Sequence, residues 1–229
     1  MSQSRISVII PVFNEQEGIA LVLADMPRHL VSEVVVVDNG SSDGSADLAE
    51  RAGARVVLER RRGYGWACLA GIAAAARPDI FVFLDGDYSD HPDEMPLLLN
   101  PILRGEADLV IGSRTLGKRE PGALLPQARF GNWLATRLIR LLFGARFTDL
   151  GPFRAVTREA LERICMRDRT FGWTVEMQVK AARSGLRTTE VPVSYRRRKG
   201  VSKVSGTLSG SIKAGYKILH TIFRYWLLK

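Results

Sequence analysis

FVFLDGD, residues Phe81 to Asp87, is an apolar run that stops at two carboxylates, Asp85 and Asp87, with only Gly86 between them. Side chains two apart on extended backbone point to the same side, so the pair can converge on one cation. Gly86 lets the backbone approach without a Cβ clash. Carboxylate ligation favours hard ions such as Mg2+ or Mn2+, which keep open positions for substrate phosphates. The competing reading is a solvated turn; a place at the end of a buried strand favours the metal.

Working outward, Ile6–Val12, Val34–Val37, Ala54–Leu58, Ile80–Leu84 and Leu109–Ile111 are short Val/Ile/Leu-rich runs. Segments of helical length lie between most of them, including Glu17–Asp25, Ser45–Arg51 and Ala67–Ala76. That alternation predicts an α/β fold, a mostly parallel sheet covered on both faces by helices. Ligands of such sheets collect at the carboxyl ends of strands. Asn14 and Glu15, Asp38 and Asn39, Asp85 and Asp87, and Ser113 and Arg114 all follow strand-like runs, as if around the rim of one site. Gly63 and Gly65 lie in a glycine-rich turn that leads into a helix, a geometry suited to an anionic group or simply to a turn.

The second half reads differently. Ala128–Phe143 is an amphipathic helix candidate carrying Arg129, Arg137 and Arg140. Phe153–Val156 and Thr188–Tyr195 read as strands around a helix over Val175–Arg183. Ser211–Leu228 places Ile212, Tyr216, Leu219, Phe223 and Trp226 on one stripe, beside Lys213, Lys217, His220 and Arg224. This last helix suits either packing on the core or an anionic membrane interface.

The chain has 229 residues, 46% hydrophobic and 25% charged, which fits a globular core. Its net charge of +9 is unevenly spread: residues 1–113 balance to −8 and residues 114–229 to +17. A basic half points to a polyanionic partner. Helix-turn-helix, zinc-finger and RNP-type arrangements are lacking, so nucleic acid is not expected. Cys68 and Cys165 read as reduced thiols. No signal peptide or membrane-spanning helix is expected, which implies a cytoplasmic protein, free or peripheral on the membrane.

PVFNE (Pro11–Glu15), VVDNGSSDGS (Val36–Ser45), RRGYGWACLAG (Arg61–Gly71), FLDGD (Phe83–Asp87) and VIGSR (Val110–Arg114) resemble the GT-A-fold family 2 glycosyltransferases. DLGPFRAVTREAL (Asp149–Leu161) and RKGVSKVSGT (Arg198–Thr207) resemble the branch holding dolichyl-phosphate mannose synthases and polyprenyl-phosphate glycosyltransferases. The resemblance implies one GT-A domain over residues 1–207, with a donor half (1–114), an acceptor half (115–207) and a C-terminal amphipathic helix (208–229). It implies hexosyl transfer from a UDP- or GDP-sugar to a lipid phosphate, with Mg2+ or Mn2+ held by Asp85 and Asp87.

By the same resemblance, Asp38 accepts from a nucleobase ring N–H, which both uracil and guanine offer. Pro11, Asn14 and Glu15 shape the pocket around base and ribose. Ser89 stands where related synthases often carry a Gln metal ligand. Arg114 is a candidate for a donor phosphate and Arg154 for the acceptor phosphate. Arg198, Ser202 and Lys203 match a segment that closes over both. A lipid phosphate is already anionic and needs no strong base; a hydroxyl acceptor would need one, with Asp149 and Glu176 as candidates. The alternatives are a soluble or non-polyprenyl acceptor and a non-catalytic nucleotide-sugar-binding module.

Overall fold

The computed structural model describes residues 4–201 and 208–228. Seven strands form one sheet: β1 (Ile6–Val12), β2 (Glu33–Asp38), β3 (Arg55–Leu58), β4 (Ile80–Phe83), β5 (Leu109–Ser113), β6 (Arg154–Thr157) and β7 (Thr188–Pro192). Their spatial order is β3-β2-β1-β4-β6-β5-β7. Every pairing is parallel except those of β6, which runs antiparallel to both β4 and β5. The mixed, mostly parallel sheet is therefore the expected α/β architecture, and β6 supplies its one reversed strand.

The central strands β1, β4 and β5 are buried on both faces, which is why they read as continuous apolar runs rather than alternating ones. In β1, Ile9 joins one core while Val8 and Ile10 join the other. The helices α1 (Ile19–Ala24), α2 (Ser45–Arg51) and α4 (Met95–Leu103) cover the Val8 face. The other face carries α3 (Tyr64–Ala74), α5 (Pro126–Phe143), α6 (Arg158–Ile164), α7 (Trp173–Arg183) and α8 (Leu208–Leu227). Pro92 marks a helical start in the sequence, and a short turn over Pro92–Glu94 leads into α4, where Pro96 sits in the first turn and its missing N–H costs nothing. The helix α6 was not expected. In α6, Thr157 caps the helix by accepting from the Ala160 N–H.

The two amphipathic helices bury only part of their apolar residues. In α8 the buried residues are Thr221, Ile222 and Tyr225, whereas Ile212, Tyr216, Phe223 and Trp226 are exposed. In α5, Asn132, Ala135, Thr136 and Ile139 are buried, whereas Phe130, Trp133 and Leu141 are exposed. The helices pack against each other. Their outer surfaces thus combine aromatic rings with Arg129, Arg137, Arg140, Lys213 and Arg224. Among the described residues, no helix is long and apolar enough to cross a membrane.

Candidate active site

The carboxyl ends of β1, β2, β4 and β5 converge on a cleft of about 620 Å3. Pro11 and Glu15, Asn39, Asp85 and Asp87, and Arg114 line it from those four strand ends, and Arg198 closes it from beyond β7. Parallel strands end at the same level, so residues far apart in sequence meet there. Two backbone features shape the rim. Asn14 and Tyr88 hold left-handed conformations (φ 54° and 64°), unusual for residues other than glycine. A Cβ on Gly86 would meet the Val12 side chain at 2.8 Å, and one on Gly18 would meet the Gly86 carbonyl at 2.6 Å, so both must be glycine for β1, α1 and the acidic loop to pack.

Each carboxylate of the acidic pair has its Oδ1 held by a neighbouring hydroxyl, and Asp87 Oδ2 is also paired. Asp85 Oδ1 accepts from the Tyr64 hydroxyl at 3.0 Å. Asp87 Oδ1 accepts from the Ser89 N–H at 2.9 Å and from the Ser89 hydroxyl. Ser89, which stands where related synthases often carry Gln, thus orients Asp87. Asp87 Oδ2 lies 3.2 Å from an Arg198 nitrogen, and Arg198 also binds Glu15 Oε1 at 2.7 Å. Burial, reinforced by the charge of Asp87, pushes the Asp85 carboxyl up to about 7. Asp90 lies behind the pair and accepts from the Asp85 N–H; burial, with Asp85 and Asp87 adding to it, pushes its carboxyl well up too.

These residues fit a divalent cation. Two converging carboxylates repel each other unless a positive charge sits between them, and a guanidinium already serves one of them. Among the described residues no group of three or more His, Cys, Asp or Glu could hold an ion alone. An ion there would need oxygens from substrate or water, as Mg2+ and Mn2+ commonly do.

Arg114 is locked by Asp149. The carboxylate receives the Arg114 N–H and Nε at 2.8 Å through Oδ2 and Nη2 at 2.7 Å through Oδ1. Burial pulls the guanidinium down, but Asp149 more than offsets that and keeps it charged. Asp149 is fully buried with both oxygens engaged, so it is a positioning group for Arg114 rather than a free general base. The other base candidate, Glu176, is buried under Tyr225 and accepts from Arg167, Asp168 and Tyr225. It ties α7 to α8.

Arg154 also departs from expectation. It is fully buried and donates to the carbonyls of Gly151 and Thr174, with burial pulling it down to about 10. A phosphate cannot reach it, and its work is to hold the turn before β6. Gly63 lines the cleft, but its N–H donates to Asn39 Oδ1. The Gly65 N–H donates to the Thr170 carbonyl. A Cβ at either glycine would run into the backbone of residues 168–169. Close chain packing therefore accounts for this glycine pair, and neither glycine N–H is offered to an anion.

Asp38 is buried at the end of β2 and accepts from the Ser41 N–H through Oδ1. Asn39 donates to the carbonyls of Glu59 and Arg61, pinning the 59–63 loop to the strand end. Asn14 accepts from the Ser42 N–H through Oδ1, and its own N–H donates to Ser41 Oγ. Ser202 and Lys203 lie outside the described residues. Tyr64, Tyr195 and Phe13 line the cleft without having been singled out in the sequence. Tyr195 faces Arg114, whose guanidinium carbon is 5.0 Å from its ring centre, and Arg62 stacks on Phe13 at 3.7 Å. The hint was present in Tyr64, an aromatic residue between two glycines that packing requires.

The model of glycosyl transferase family 2 matches residues 7–165. The chain belongs to that family. The transferase is 39% identical over 217 residues to an uncharacterized glycosyltransferase of Mycobacterium tuberculosis, covering 93% of this chain and 96% of that one. It is 35% identical over 225 residues to the undecaprenyl-phosphate mannosyltransferase of Micrococcus luteus, covering 90% of each. Among solved structures it resembles glucosyl-3-phosphoglycerate synthase from Mycobacterium tuberculosis in complex with Mn2+, UDP-glucose and phosphoglyceric acid. That likeness has a TM-score of 0.77 and 26% identity, and covers 97% of this chain and 80% of that one. The GT-A fold and hexosyltransferase chemistry follow from this kinship, and the solved relative binds Mn2+ with its UDP-glucose.

Proposed function

We propose that the transferase moves a hexosyl group from a nucleotide diphosphate sugar to a lipid phosphate at an anionic membrane surface, with inversion at the anomeric carbon. The observation that carries the donor half of this reading is the meeting of Asp85 and Asp87 with Arg114 and Arg198 in one cleft. A diphosphate brings negative charge that the two arginines match, and its oxygens complete the coordination of an ion held by the carboxylates. The bound ion supplies electrostatic stabilisation of the departing diphosphate. Arg114, fixed and charged by Asp149, adds a preorganised positive group without reorganising during the reaction. Asp38, at the end of β2, is the group for the base.

The acceptor half rests on the surface of α5 and α8. Leu124, Leu125 and Ala128 line the cleft, and the helix continues from them with exposed Phe130 and Trp133. The rings of Phe130 and Trp133 meet at a tilt, 5.8 Å apart, and Arg137 lies over Trp133. Aromatic rings beside arginines suit an anionic lipid interface, where each cation near the surface contributes about 1 kcal/mol. A lipid phosphate reaching the cleft from that side arrives already ionised. This matches a site whose two candidate bases, Asp149 and Glu176, are already engaged by protein donors.

A second reading, a small soluble phosphorylated acceptor, is supported by the likeness to glucosyl-3-phosphoglycerate synthase. Transfer assays with radiolabelled UDP- and GDP-hexoses, offered undecaprenyl phosphate or phosphoglyceric acid, separate the two. Label entering the organic phase supports the lipid acceptor. Label confined to a water-soluble product refutes it.

A further inference from the structure

Tyr64 opens α3, and its hydroxyl donates to Asp85 Oδ1 at 3.0 Å from within the cleft wall. The helix start that carries this ring is fixed by three backbone contacts. The Gly63 N–H donates to Asn39, and the Gly65 and Trp66 N–H groups donate to the carbonyls of Thr170 and Arg169. A donor on so constrained an element holds its acceptor in one rotamer.

The pattern repeats at the neighbouring carboxylate. Ser89 takes Oδ1 of Asp87 as Tyr64 takes Oδ1 of Asp85. Each aspartate is left with Oδ2 for a cation, and on Asp87 that oxygen already meets Arg198. Groups that hydrogen-bond a metal ligand from behind set its orientation, and their loss commonly weakens metal binding by about 10- to 100-fold.

We propose that Tyr64 is a positioning residue for the divalent cation: its hydroxyl sets the orientation in which Asp85 offers its second oxygen. This rests on the assignment of Asp85 and Asp87 to the ion. Without the hydroxyl, Asp85 would keep its place at the end of β4 but would have no side-chain donor fixing its carboxylate against Asp87. The consequence falls on the ion and not on the nucleotide, because the hydroxyl contacts Asp85 alone, while the backbone bond from Gly63 to Asn39 at the end of β2 does not depend on it.

The test is Tyr64→Phe, which keeps the ring and its packing. Mn2+ is titrated into the full chain with UDP or GDP, whichever tightens the ion, and free Mn2+ is read by electron paramagnetic resonance. Nucleotide affinity is measured separately in EDTA. The expected result is about a 10-fold weaker Mn2+ affinity, with metal-free nucleotide affinity and thermal unfolding unchanged. Wild-type Mn2+ affinity in Tyr64→Phe, while Asp87→Ala loses the ion, overturns the role of Tyr64 alone. Equal losses of metal and metal-free nucleotide affinity also overturn it, since they show a general disturbance of the cleft. Retention of Mn2+ by Asp87→Ala removes the cation assignment itself, and the proposal with it.

Discussion

Arg198 bridges Asp87 and Glu15, with nitrogens 3.2 Å from Asp87 Oδ2 and 2.7 Å from Glu15 Oε1. One guanidinium therefore neutralises a carboxylate of the acidic pair and ties the chain beyond β7 to the end of β1. A divalent ion at Asp87 and this guanidinium compete for the same oxygen. Arg198→Ala is predicted to bind Mn2+ several-fold more tightly without nucleotide, because the competing charge is gone. It should nevertheless lose about 100-fold in kcat for transfer, as expected for removal of a preorganised positive group. Mn2+ titration and transfer kinetics on the same variant check both signs.

The raised Asp85 carboxyl gives a pH dependence. Its folded value of about 7 lies above the 3.8 of an ordinary aspartate. The folded state therefore holds a proton that the unfolded chain has already released between those values. By linkage, Asp85 makes the metal-free protein progressively less stable as pH rises through that window, with no further loss above about 7. An ion needs the ionised form, so Mn2+ affinity should rise with pH up to about 7 and level off beyond it. Calorimetric Mn2+ titrations in two buffers of different ionisation enthalpy should show proton release at pH 6 and little at pH 8.

Asp149 and Arg114 form a bidentate pair with side-chain exposures of 0% and 12%. Asp149→Ala leaves a buried guanidinium without its counter-charge. The expected cost is about 3–5 kcal/mol of stability, seen as a lower urea midpoint at unchanged m-value. A free general base at this position would instead lower transfer to hydroxyl acceptors while leaving the fold intact.

Gly65→Ala tests why the glycine-rich turn exists. The added Cβ would collide with the Asp168 carbonyl, a backbone atom with little room to yield. The variant should unfold at clearly lower temperature with or without nucleotide. A loss of nucleotide affinity at unchanged thermal stability would restore the anion-binding reading of this turn.

The exposed α5 rings make a separate prediction. Phe130 and Trp133 are 63% and 52% exposed, so replacing both with Ser should change stability by no more than about 0.5 kcal/mol per site. Sedimentation with phosphatidylserine vesicles should nevertheless fall markedly, because the buried apolar contact with lipid is lost.

The strand ends were legible because a sheet buried on both faces writes its strands as apolar runs, and the first polar residue marks the rim. Asp85, Asp87, Arg114 and Glu15 could be placed around one cleft on that basis. What lies between rim residues was not legible, because it depends on contacts across long sequence gaps. Arg114 and Asp149 are 35 residues apart, and their pairing turns a candidate base into an anchor. Arg154 carries the same charge as Arg114, and only its place on the inner side of β6 separates a core arginine from a phosphate contact. The apolar stripes of α5 and α8 were visible by period, but periodicity gives a stripe without saying whether core or solvent receives it. In α8 it is Ile222 and Tyr225 that face inward.

The central claim is that Asp85 and Asp87 hold an ion against the diphosphate of a sugar donor. Its most direct measurement is release of nucleoside diphosphate from a panel of UDP- and GDP-hexoses, with Mn2+ and a phosphorylated acceptor, by wild type and Asp87→Ala. The account predicts turnover of at least one donor by wild type, abolished by EDTA and reduced at least about 100-fold in the variant. Full metal-dependent turnover by Asp87→Ala would contradict it.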